Sequence, residues 1–563
     1  MMGRLIRVDN RLQLFTEYKD VDKCKSILGG AWNKQIGCWQ YPLEALPFVL
    51  EVFPNIPMDK SVESIRKALE LKERGIVGLK EGKVEPRQHE FLMKHQRVGR
   101  DIAQLAPKYA LYYDVGTGKT ILAYAIIEER IQEKWLVICP KSIINTAWVQ
   151  DGKDFFPNVK VLPIYAEAKA DMYMELAEKW GVLDIIGYVK PKYMMEELMA
   201  FADVVVTNVE YFKIRDFIKE WPHNGVIVDE SSILRNKDTQ NTKAIIEHTA
   251  KKEYTYLLSG KPAPNNELEY FPQMLIVDAS LFGNSYYRFR ARYFQAQDFF
   301  QRDWQMLPDK RTDFTKRLAK GCMFIRKEDC LDLPPELPPM MRTVKLSKEA
   351  RRYYQNMERD RVVELDDKYI SAAMKVSSLM KLRQITSGFI IDTEEETTSV
   401  LHKDKLNELA DVITELGDNK AVIWVSFKEE VRSISELFDN MGKTYATAYS
   451  GTDDLDDSIT RFKTNEAQFM IANPKSLKFG VTFTGPTMTK NCTYAIYYSM
   501  THSYEDYYQS KHRIYRKGQT ESCTYIYLIA EESIDEDIYE SIVRKGTDAE
   551  IIENLVRRVK HDK

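Results

Sequence analysis

Asp114-Val-Gly-Thr-Gly-Lys-Thr120 is the stretch that decides the fold of this chain. It follows an apolar run at 109–113 and precedes a helical pattern at 121–127. A strand, a glycine-rich turn and a helix start, in this order, form a cradle for phosphate. The backbone N–H groups of the turn point inward, and the helix N-terminus carries partial positive charge. The stretch therefore predicts a nucleotide-binding unit.

Five consecutive residues of this loop are candidate nucleotide ligands: Gly116, Thr117, Gly118, Lys119 and Thr120. The two glycines allow the tight turn. The lysine can reach the β- and γ-phosphates, and the threonine hydroxyl can ligate Mg²⁺. Tyr113 stands where the usual pattern G-x-x-x-x-G-K-[ST] has its first glycine.

Length and composition exclude several classes of protein. The 563 residues are enough for about three to four domain-sized units, and 44% apolar with 29% charged residues is ordinary for a globular protein. The net charge of −3 leaves room for a local basic surface.

The seven scattered cysteines form no C-x-x-C, so we expect no structural zinc and no disulfide framework. With no apolar run of 18 residues and no signal-peptide pattern, we expect no membrane association and a cytoplasmic location, in a bacterium or a phage-infected host.

Apolar strand-like runs alternate with helical segments in two regions, which is typical of parallel α/β sheets. The runs lie at 135–139, 204–207, 226–228 and 256–258, and again at 421–425, 469–472, 494–498 and 524–529. A mostly helical stretch with the proline-rich break at 332–339 separates the two regions. We expect a small domain at 1–55, a linker at 56–85, a first lobe at 86–335, a helical bridge at 336–400 and a second lobe at 401–563.

The first 55 residues predict a small α+β unit. Its predicted elements are strands 4–8 and 11–15, joined by Asp9-Asn10, and helices 20–28 and 43–52. Trp32 and Trp39 flank a turn, and two interpretations are open. They form the core of a small domain, or they offer surfaces on which unpaired bases stack.

A second candidate for phosphate chemistry is the apolar strand that ends in Asp229-Glu230. Carboxylates at the carboxyl end of a parallel strand lie where open α/β sheets bind ligands. Asp229 is placed to hold Mg²⁺, and Glu230 can then polarise the water that attacks the γ-phosphate.

The order of these and further motifs resembles the superfamily-two helicase-like ATPases, and among them the Swi/Snf type of double-stranded DNA translocase, over most of residues 90–545. The segments that carry the resemblance are 95–99, 136–142 with Trp148, 204–208, 229–236, 258–265, 324–335 and 382–384. The resemblance implies an α/β fold of two RecA-like parallel-sheet lobes with the ATP site in the cleft, helical elements between them and a small α+β N-terminal domain.

The most specific match is Gln509-Ser-Lys-His-Arg-Ile-Tyr-Arg-Lys-Gly-Gln519, which resembles the family's Q-x-x-x-R-x-x-R-x-G-Q in every fixed position. Guanidinium groups bind phosphate oxygens bidentately and stay charged. Arg516 is therefore expected to be the main arginine finger, with Arg513 beside it on one face of a helix. Gln509 is expected to help bind the nucleotide.

The resemblance also implies roles for residues elsewhere in the chain. Gln96 corresponds to the glutamine that reads adenine. The residues at positions of DNA contact are Lys141, Ser142, Thr207, Ser426 and Thr482.

Several positions depart from the family pattern. Ser231-Ser232 replaces a small residue and His, and Lys261 replaces a Thr. The segment 476–484 lacks the usual doubled glycine, although Gly480 and Thr482 keep plausible positions. The missing first glycine of the phosphate loop is common among helicase-type motors. None of these changes removes a residue needed for hydrolysis, and the short chain favours a phage or bacterial member.

Residues 1–55 resemble, more weakly, the HARP domain of fork-remodelling relatives.

The sequence thus predicts a monomeric, ATP- and Mg²⁺-dependent DNA translocase that acts on duplex, forked or junction DNA. We expect it to remodel forks, anneal strands or displace bound proteins, with replication or recombination proteins as partners. Two alternatives stay open. One is a strand-separating helicase or the motor of a restriction or defence system. The other is a non-hydrolysing DNA-bound scaffold.

Overall fold

The computed structural model describes residues 3–186, 191–298, 303–366, 372–392, 397–477 and 481–559. The chain divides into two compact units. The first consists of Met1–Cys330 with Asp548–Lys563, and the second of Leu331–Thr547. Each unit is built around one parallel sheet.

The N-terminal residues of the first unit form a small antiparallel sheet with strand order β1-β2-β4-β3. Its elements are β1 (Arg4–Val8), β2 (Arg11–Phe15), α1 (Val21–Ser26), β3 (Ala31–Asn33), β4 (Cys38–Pro42) and α2 (Leu46–Val52). The predicted hairpin is confirmed, with Val8 paired to Arg11. Trp39 is buried and Trp32 is 48% exposed, so one tryptophan belongs to the core and the other to the surface. The HARP-like assignment stays a prediction.

The segment predicted as a linker, 56–85, contains one long helix, α3 (Lys60–Lys80). Asp59 caps it by accepting the Val62 N–H at 2.7 Å. Val62 is fully buried in the hydrophobic core. At the other end, Lys80 Nζ donates to the carbonyl oxygens of Ala319 and Cys322 at 2.7 and 2.9 Å. Helix α3 is therefore packed at both ends.

The main sheet of the first unit has seven strands, and every pair in it is parallel. The strands are β5 (Lys108–Tyr113), β6 (Trp135–Ile138), β7 (Val161–Ile164), β8 (Val204–Thr207), β9 (Gly225–Asp229), β10 (Tyr254–Leu258) and β13 (Cys322–Ile325), in the order β13-β5-β10-β9-β6-β8-β7. The four predicted strands of this lobe are confirmed within two residues. Their residues are nearly all buried, as expected for strands covered on both faces.

Helices and one hairpin complete the first unit. The helices are α4 (Lys94–Leu105), α5 (Lys119–Glu129), α6 (Gln150–Phe155), α7 (Ala170–Lys179), α8 (Leu183–Ile186), α9 (Pro191–Met199), α10 (Val209–Ile214), α11 (Asp216–Glu220), α12 (Gln240–Ala250), α13 (Tyr270–Val277), α14 (Ala279–Phe282), α15 (Tyr286–Tyr293) and α16 (Arg311–Gly321). The hairpin pairs β11 (Phe294–Ala296) with β12 (Trp304–Met306).

The second unit holds a six-stranded parallel sheet of order β14-β21-β20-β17-β19-β18. Its strands are β14 (Met340–Val344), β17 (Ala421–Trp424), β18 (Tyr445–Ala448), β19 (Phe469–Ala472), β20 (Tyr494–Tyr497) and β21 (Thr524–Ala530), and a separate hairpin pairs β15 (Phe389–Asp392) with β16 (Thr397–Val400). The helices are α17 (Lys348–Asp366), α18 (Ala372–Thr386), α19 (Asp404–Leu416), α20 (Lys428–Met441), α21 (Leu455–Lys463) and α22 (Tyr504–Lys511). A last helix, α23 (Ile534–Arg558), has its first residues in this unit and its residues from Asp548 onward in the first. The four predicted strands of this lobe are confirmed within one residue.

The two parallel sheets with their helices confirm the predicted fold class of two RecA-like α/β lobes. The region predicted as a helical bridge also contributes strands, because β14 joins the second sheet and β15 pairs with β16. Among the described residues, no helix is both long and apolar enough to cross a membrane.

Candidate nucleotide site

The glycine-rich loop joins β5 to α5, as predicted. Gly116 and Gly118 have φ angles of 87° and 79°, in the left-handed region that glycine adopts at little cost. A Cβ on Gly118 would lie 2.3 Å from Nε2 of Gln96. The glycine at 118 is therefore required by the backbone conformation, and a side chain there would also displace the amide group of Gln96.

Gln96, the predicted adenine-reading residue, contacts the loop itself. It is buried, and its Nε2 donates to the carbonyl oxygens of Thr117 and Gly118 at 3.3 and 3.1 Å. Its Oε1 accepts the Met93 N–H at 2.9 Å. Gln96 thus ties the start of α4 to the phosphate loop, and its adenine contact stays a prediction.

Tyr113 fills the position of the missing first glycine. Its ring is buried, and its hydroxyl donates to the His95 carbonyl oxygen at 2.8 Å. A Cβ on Gly99 would lie 2.5 Å from this hydroxyl oxygen. The loop therefore starts from a tyrosine anchored to α4. Tyr113 is not among the described residues of positive φ, so this position has no backbone conformation that needs a glycine.

Lys119 and the two carboxylates come together at the carboxyl ends of β5 and β9. Lys119 Nζ donates to the Tyr113 carbonyl oxygen at 3.2 Å and lies 4.0 Å from Oε1 of Glu230. Burial raises the pKa of Asp229 and of Glu230, while the Lys119 ammonium opposes both shifts. The structure therefore brings together three of the predicted catalytic residues.

Glu230 adopts a left-handed conformation, with φ of 51° and ψ of 58°. A non-glycine residue there is strained by about 1–3 kcal/mol, and such strain concentrates at functional sites. The strained turn places the Glu230 carboxylate beside the Lys119 ammonium. This position suits the catalytic role that the sequence predicts for Glu230.

Trp148 contacts Asp229, the predicted metal ligand, and the sequence did not reveal this link. Its Nε1 donates to Oδ2 of Asp229 at 3.0 Å, while Oδ1 accepts the Glu230 N–H at 3.0 Å. Trp148 is fully buried and belongs to a π-helix, Ile144–Val149, a distortion frequent at functional sites. This segment directly follows the predicted DNA-contact residues Lys141 and Ser142.

Asp151 is a third carboxylate of the site that sequence reasoning missed. Burial raises its pKa to about 6, and the neighbouring Asp154 adds to this shift while the Thr120 hydroxyl opposes it. Its negative charge also contributes to the raised pKa of Asp229. No local pattern in the sequence indicates that Asp151 lies near the loop, because the fold alone brings it to Thr120 and Asp229.

The arginine motif of the second unit does not form the helix that we predicted. Helix α22 ends at Lys511, and Arg513 and Arg516 lie in the turns that follow. The prediction that they share a helix face is therefore wrong. Arg513 is buried; its Nη1 donates to the Val481 carbonyl oxygen at 2.7 Å, and its own carbonyl oxygen accepts the Phe483 N–H at 2.9 Å.

The end of this motif explains why the helix stops. Gly518 has a φ of 95°, and a Cβ there would lie 2.6 Å from the Cα of Gly485. Gln519 Nε2 donates to the carbonyl oxygens of Cys492 and Ile514 at 3.0 and 2.9 Å. The Gly-Gln pair therefore folds the motif tightly onto the segment around 481–492, which a continued helix could not do.

The predicted DNA contacts and Gln509 differ in accessibility. Lys141 is exposed and forms an ion pair with Glu167. Four of the other predicted residues are half-buried: Ser142, Ser426, Thr482 and Gln509. Thr207 is fully buried, and its hydroxyl has no hydrogen-bond partner among the residues that the structure describes. A DNA contact there would require its neighbours to move. Gly480 lies outside the described residues.

Comparison with known proteins places the chain in a family. Residues 107–388, half of the chain, match the family model described as the SNF2-related domain. The chain therefore belongs to the SNF2-related family and is a Swi/Snf-type helicase-like ATPase. It is accordingly a DNA-dependent ATPase, an ATP-driven motor associated with DNA.

The chain also matches individual proteins at low sequence identity. It is 21% identical over 447 residues to "Putative protein p41" of Acyrthosiphon pisum secondary endosymbiont phage 1, covering 76% of this chain and 90% of that protein. It is 24% identical to the CHD3-type chromatin-remodeling factor PICKLE of Arabidopsis thaliana, over 43% of this chain and 17% of that protein. It is also 24% identical to a Caenorhabditis elegans SWI/SNF-related subfamily A-like protein 1 homolog, over 42% of this chain and 32% of that protein. The chain thus spans a third or less of the two eukaryotic relatives.

Among solved structures, the chain is similar to the Sulfolobus solfataricus SWI2/SNF2 ATPase core in complex with dsDNA. The identity is 19% and the TM-score 0.36, with 85% of this chain and 99% of that chain covered.

Trp148→Phe removes the indole N–H and keeps most of the ring. Losing a hydrogen bond to a charged group costs about 1.5–3 kcal/mol. If Trp148 orients Asp229 for hydrolysis, kcat should fall about 10- to 100-fold, as phosphate release at saturating ATP and DNA would show. Trp221→Phe is the matched control, because that buried indole donates to the Met199 carbonyl oxygen at 2.8 Å. Equal kcat values for the two variants would contradict the role of Trp148.

Proposed function

We propose that this ATPase is a translocase that moves along duplex or branched DNA, where it remodels forks, anneals strands or displaces bound proteins. The observation that carries the proposal is the division of the predicted ligands between the two units. Lys119, Asp229 and Glu230 belong to the first unit, and Arg513 and Arg516 to the second. Hydrolysis that needs ligands from two bodies is a means of moving one body against the other.

The predicted DNA contacts are divided in the same way. Lys141 and Ser142 belong to the first unit, and Ser426 and Thr482 to the second. Ser426 is held firmly, because its N–H donates to Oε2 of Glu430 at 2.7 Å. Two sets of backbone contacts on separately moving units would advance the motor along DNA, one set holding while the other moves.

A mixed basic and aromatic surface of the first unit supports DNA binding. Lys237 Nζ lies 4.9 Å from the Tyr286 ring centroid, and the Arg290 guanidinium lies 3.9 Å from the Trp304 ring centroid. Tyr287 between them is 67% exposed. Cations and aromatic rings on one surface suit phosphates and bases, and such a patch is compatible with a net charge of −3.

The residues of the phosphate loop fit Mg²⁺-ATP. The Lys119 ammonium and the N–H groups at the start of α5 would take phosphate oxygens, and Thr120 with Asp229 would hold Mg²⁺. A divalent cation would also neutralise part of the charge of three neighbouring carboxylates, of which Asp151 is the third. When bound, Mg²⁺ withdraws charge from the γ-phosphate. Glu230 would orient the attacking water, and Arg516 would stabilise the charge that develops.

The N-terminal sheet is proposed to favour branched DNA through Trp32. This ring is about half exposed and packs edge-on against Trp39, with ring centroids 5.7 Å apart. A partly exposed tryptophan held by a buried one offers a surface on which an unpaired base could stack.

ATP hydrolysis by the full chain on single-stranded, linear duplex and forked DNA of equal nucleotide content tests this proposal. We expect duplex and fork to stimulate more than single strands, with the fork strongest. Trp32→Ala should lower the extra stimulation by the fork and leave that by linear duplex unchanged. The exposed Tyr18→Ala serves as the matched control. Stimulation by single strands alone would instead favour a strand-separating helicase.

A further inference from the structure

Three loops of the second unit meet at the carboxyl edge of its sheet. They follow the neighbouring strands β17, β19 and β20, and they contain Ser426, Asn473 and Ser499. The N–H of Ser426 donates to Oε2 of Glu430 at 2.7 Å and to Oγ of Ser499 at 2.9 Å. Its carbonyl oxygen accepts the side-chain amide of Asn473 at 3.4 Å. Both backbone groups of this predicted DNA contact are therefore engaged within the protein, and its hydroxyl is the group left to reach DNA.

Glu430 is at the centre of these contacts, and its side chain is only 1% exposed. Besides the Ser426 N–H, Oε2 accepts the Phe427 N–H at 3.0 Å and the Ser499 hydroxyl at 2.8 Å. Oε1 accepts the hydroxyl of Ser387, directly after α18, at 2.6 Å. Hydrogen bonds to an ionised carboxylate are short and strong. One buried side chain thus joins the end of α18, the loop after β17, the start of α20 and the loop after β20.

A buried arginine lies close to this carboxylate. Arg383 belongs to the segment 382–384, one of those that resemble the family, and is only 9% exposed. Its guanidinium carbon lies 5.0 Å from the ring centroid of Phe427. Burial lowers the pKa of Arg383, while the carboxylates of Glu430 and Asp535 oppose this shift. Arg383 therefore stabilises a carboxylate that is buried beneath the loop after β17.

The charge of Glu430 and its hydrogen bonds have opposite consequences for DNA binding. On charge alone, a carboxylate near a DNA contact is unfavourable, because it repels phosphate. Its hydrogen bonds fix the backbone of Ser426 and Phe427, and buried donors that lose their acceptor are costly. Removal of the side chain therefore tightens DNA binding if the charge dominates, and weakens it if the position of the loop dominates.

We propose that Glu430 is a positioning residue for DNA binding, which fixes the loop after β17 so that the Ser426 hydroxyl meets a phosphate of the DNA backbone. This inference rests on the proposed function, because the DNA contact at Ser426 is part of it. Ser387 and Ser499 hold the two carboxylate oxygens in place, and Arg383 stabilises their charge. Glu430 itself is assigned no contact with DNA or ATP.

Binding of a fluorescently labelled linear duplex by the full chain, measured as anisotropy without ATP, tests this role. Glu430→Ala should raise Kd at least tenfold, although the loss of a negative charge alone would lower it. Glu430→Gln should stay within threefold of the wild-type Kd. Its amide oxygen can still accept the Ser426 and Phe427 N–H groups, while its NH₂ group donates to the Ser387 hydroxyl oxygen. In a Ser426→Ala background, Glu430→Ala should add less than threefold, because the two residues act as a unit.

Glu429→Ala is the matched control, because it removes a carboxylate from the same turn of α20. That carboxylate accepts the Arg432 Nε–H at 3.2 Å, within the helix. We expect its Kd to stay within twofold of the wild type. All variants are compared well below the lowest Tm of the set. If Glu430→Ala does not fold, Ser499→Ala takes its place, with an expected rise in Kd of three- to tenfold.

Three results would overturn the proposal. They are a Kd within threefold of the wild type in the alanine variant that is measured, an equal loss of affinity in Glu430→Gln, and a loss that Ser426→Ala leaves undiminished. Because the readout is DNA binding, a wild-type protein that binds duplex DNA without translocating along it would refute only the proposed function.

Discussion

Glu230→Gln should reduce kcat for ATP hydrolysis by about 10²–10⁴, the usual contribution of a general base. The amide keeps the shape of the side chain but cannot take a proton from the attacking water. The strained backbone of Glu230 and its carboxylate 4.0 Å from Lys119 Nζ support this role. Steady-state phosphate release at saturating ATP and DNA measures the loss, and nucleotide affinity should remain close to that of the wild type.

The exposed Glu220→Gln provides the control for the same chemical change. It should keep full activity. If Glu230→Gln retained more than a tenth of the wild-type kcat, Glu230 could not be the base, and Asp151 would become the next candidate.

Arg516→Ala should reduce kcat by about 10³–10⁵, the range known for arginine fingers. The loss should fall on kcat more than on KM, because the guanidinium acts on charge that develops in the transition state. Tm should change little, since Arg516 is only half-buried. Single-turnover hydrolysis with prebound ATP measures the chemical step directly.

Two neighbours serve as controls for Arg516. Lys517→Ala removes an exposed cation from the next position and should leave kcat unchanged. Arg513→Ala should lower Tm, because it leaves the Val481 carbonyl oxygen without the donor it now has at 2.7 Å. A kcat of Arg516→Ala within tenfold of the wild type would refute its role as the finger.

The parts of the fold that could be predicted are those that depend on a pattern of neighbouring residues in the sequence. A buried parallel strand is a short apolar run, so β6, β8, β17 and β19 were located within a residue or two. The phosphate loop and the carboxylates after β9 are local as well, because a strand, a turn and a helix start follow one another directly in the chain.

The contacts that could not be predicted join residues distant in sequence. Trp148 and Asp229 are 81 positions apart, and Lys261 and Glu553 are 292 apart. These contacts depend on how the helices pack on the sheet, and no local sequence pattern indicates them. The same holds for Gln96, whose amide binds the loop backbone because α4 packs across it.

The arginine motif shows how spacing can mislead. Residues 509, 513 and 516 have helical spacing, which favours one face of a helix. In the structure, Gly518 packs closely against Gly485, and Gln519 donates hydrogen bonds to the carbonyl oxygens of Cys492 and Ile514. A helix that continued through residues 513–519 could not make these contacts. Tertiary packing decided the conformation, and the glycine at 518 was the one local sign of it.

Displacement of a triplex-forming strand from linear duplex DNA tests the central claim most directly. We expect ATP to drive displacement from blunt duplex DNA while the duplex strands stay paired, and we expect Glu230→Gln to abolish the reaction. Hydrolysis of ATP on duplex DNA without displacement of the third strand would contradict it.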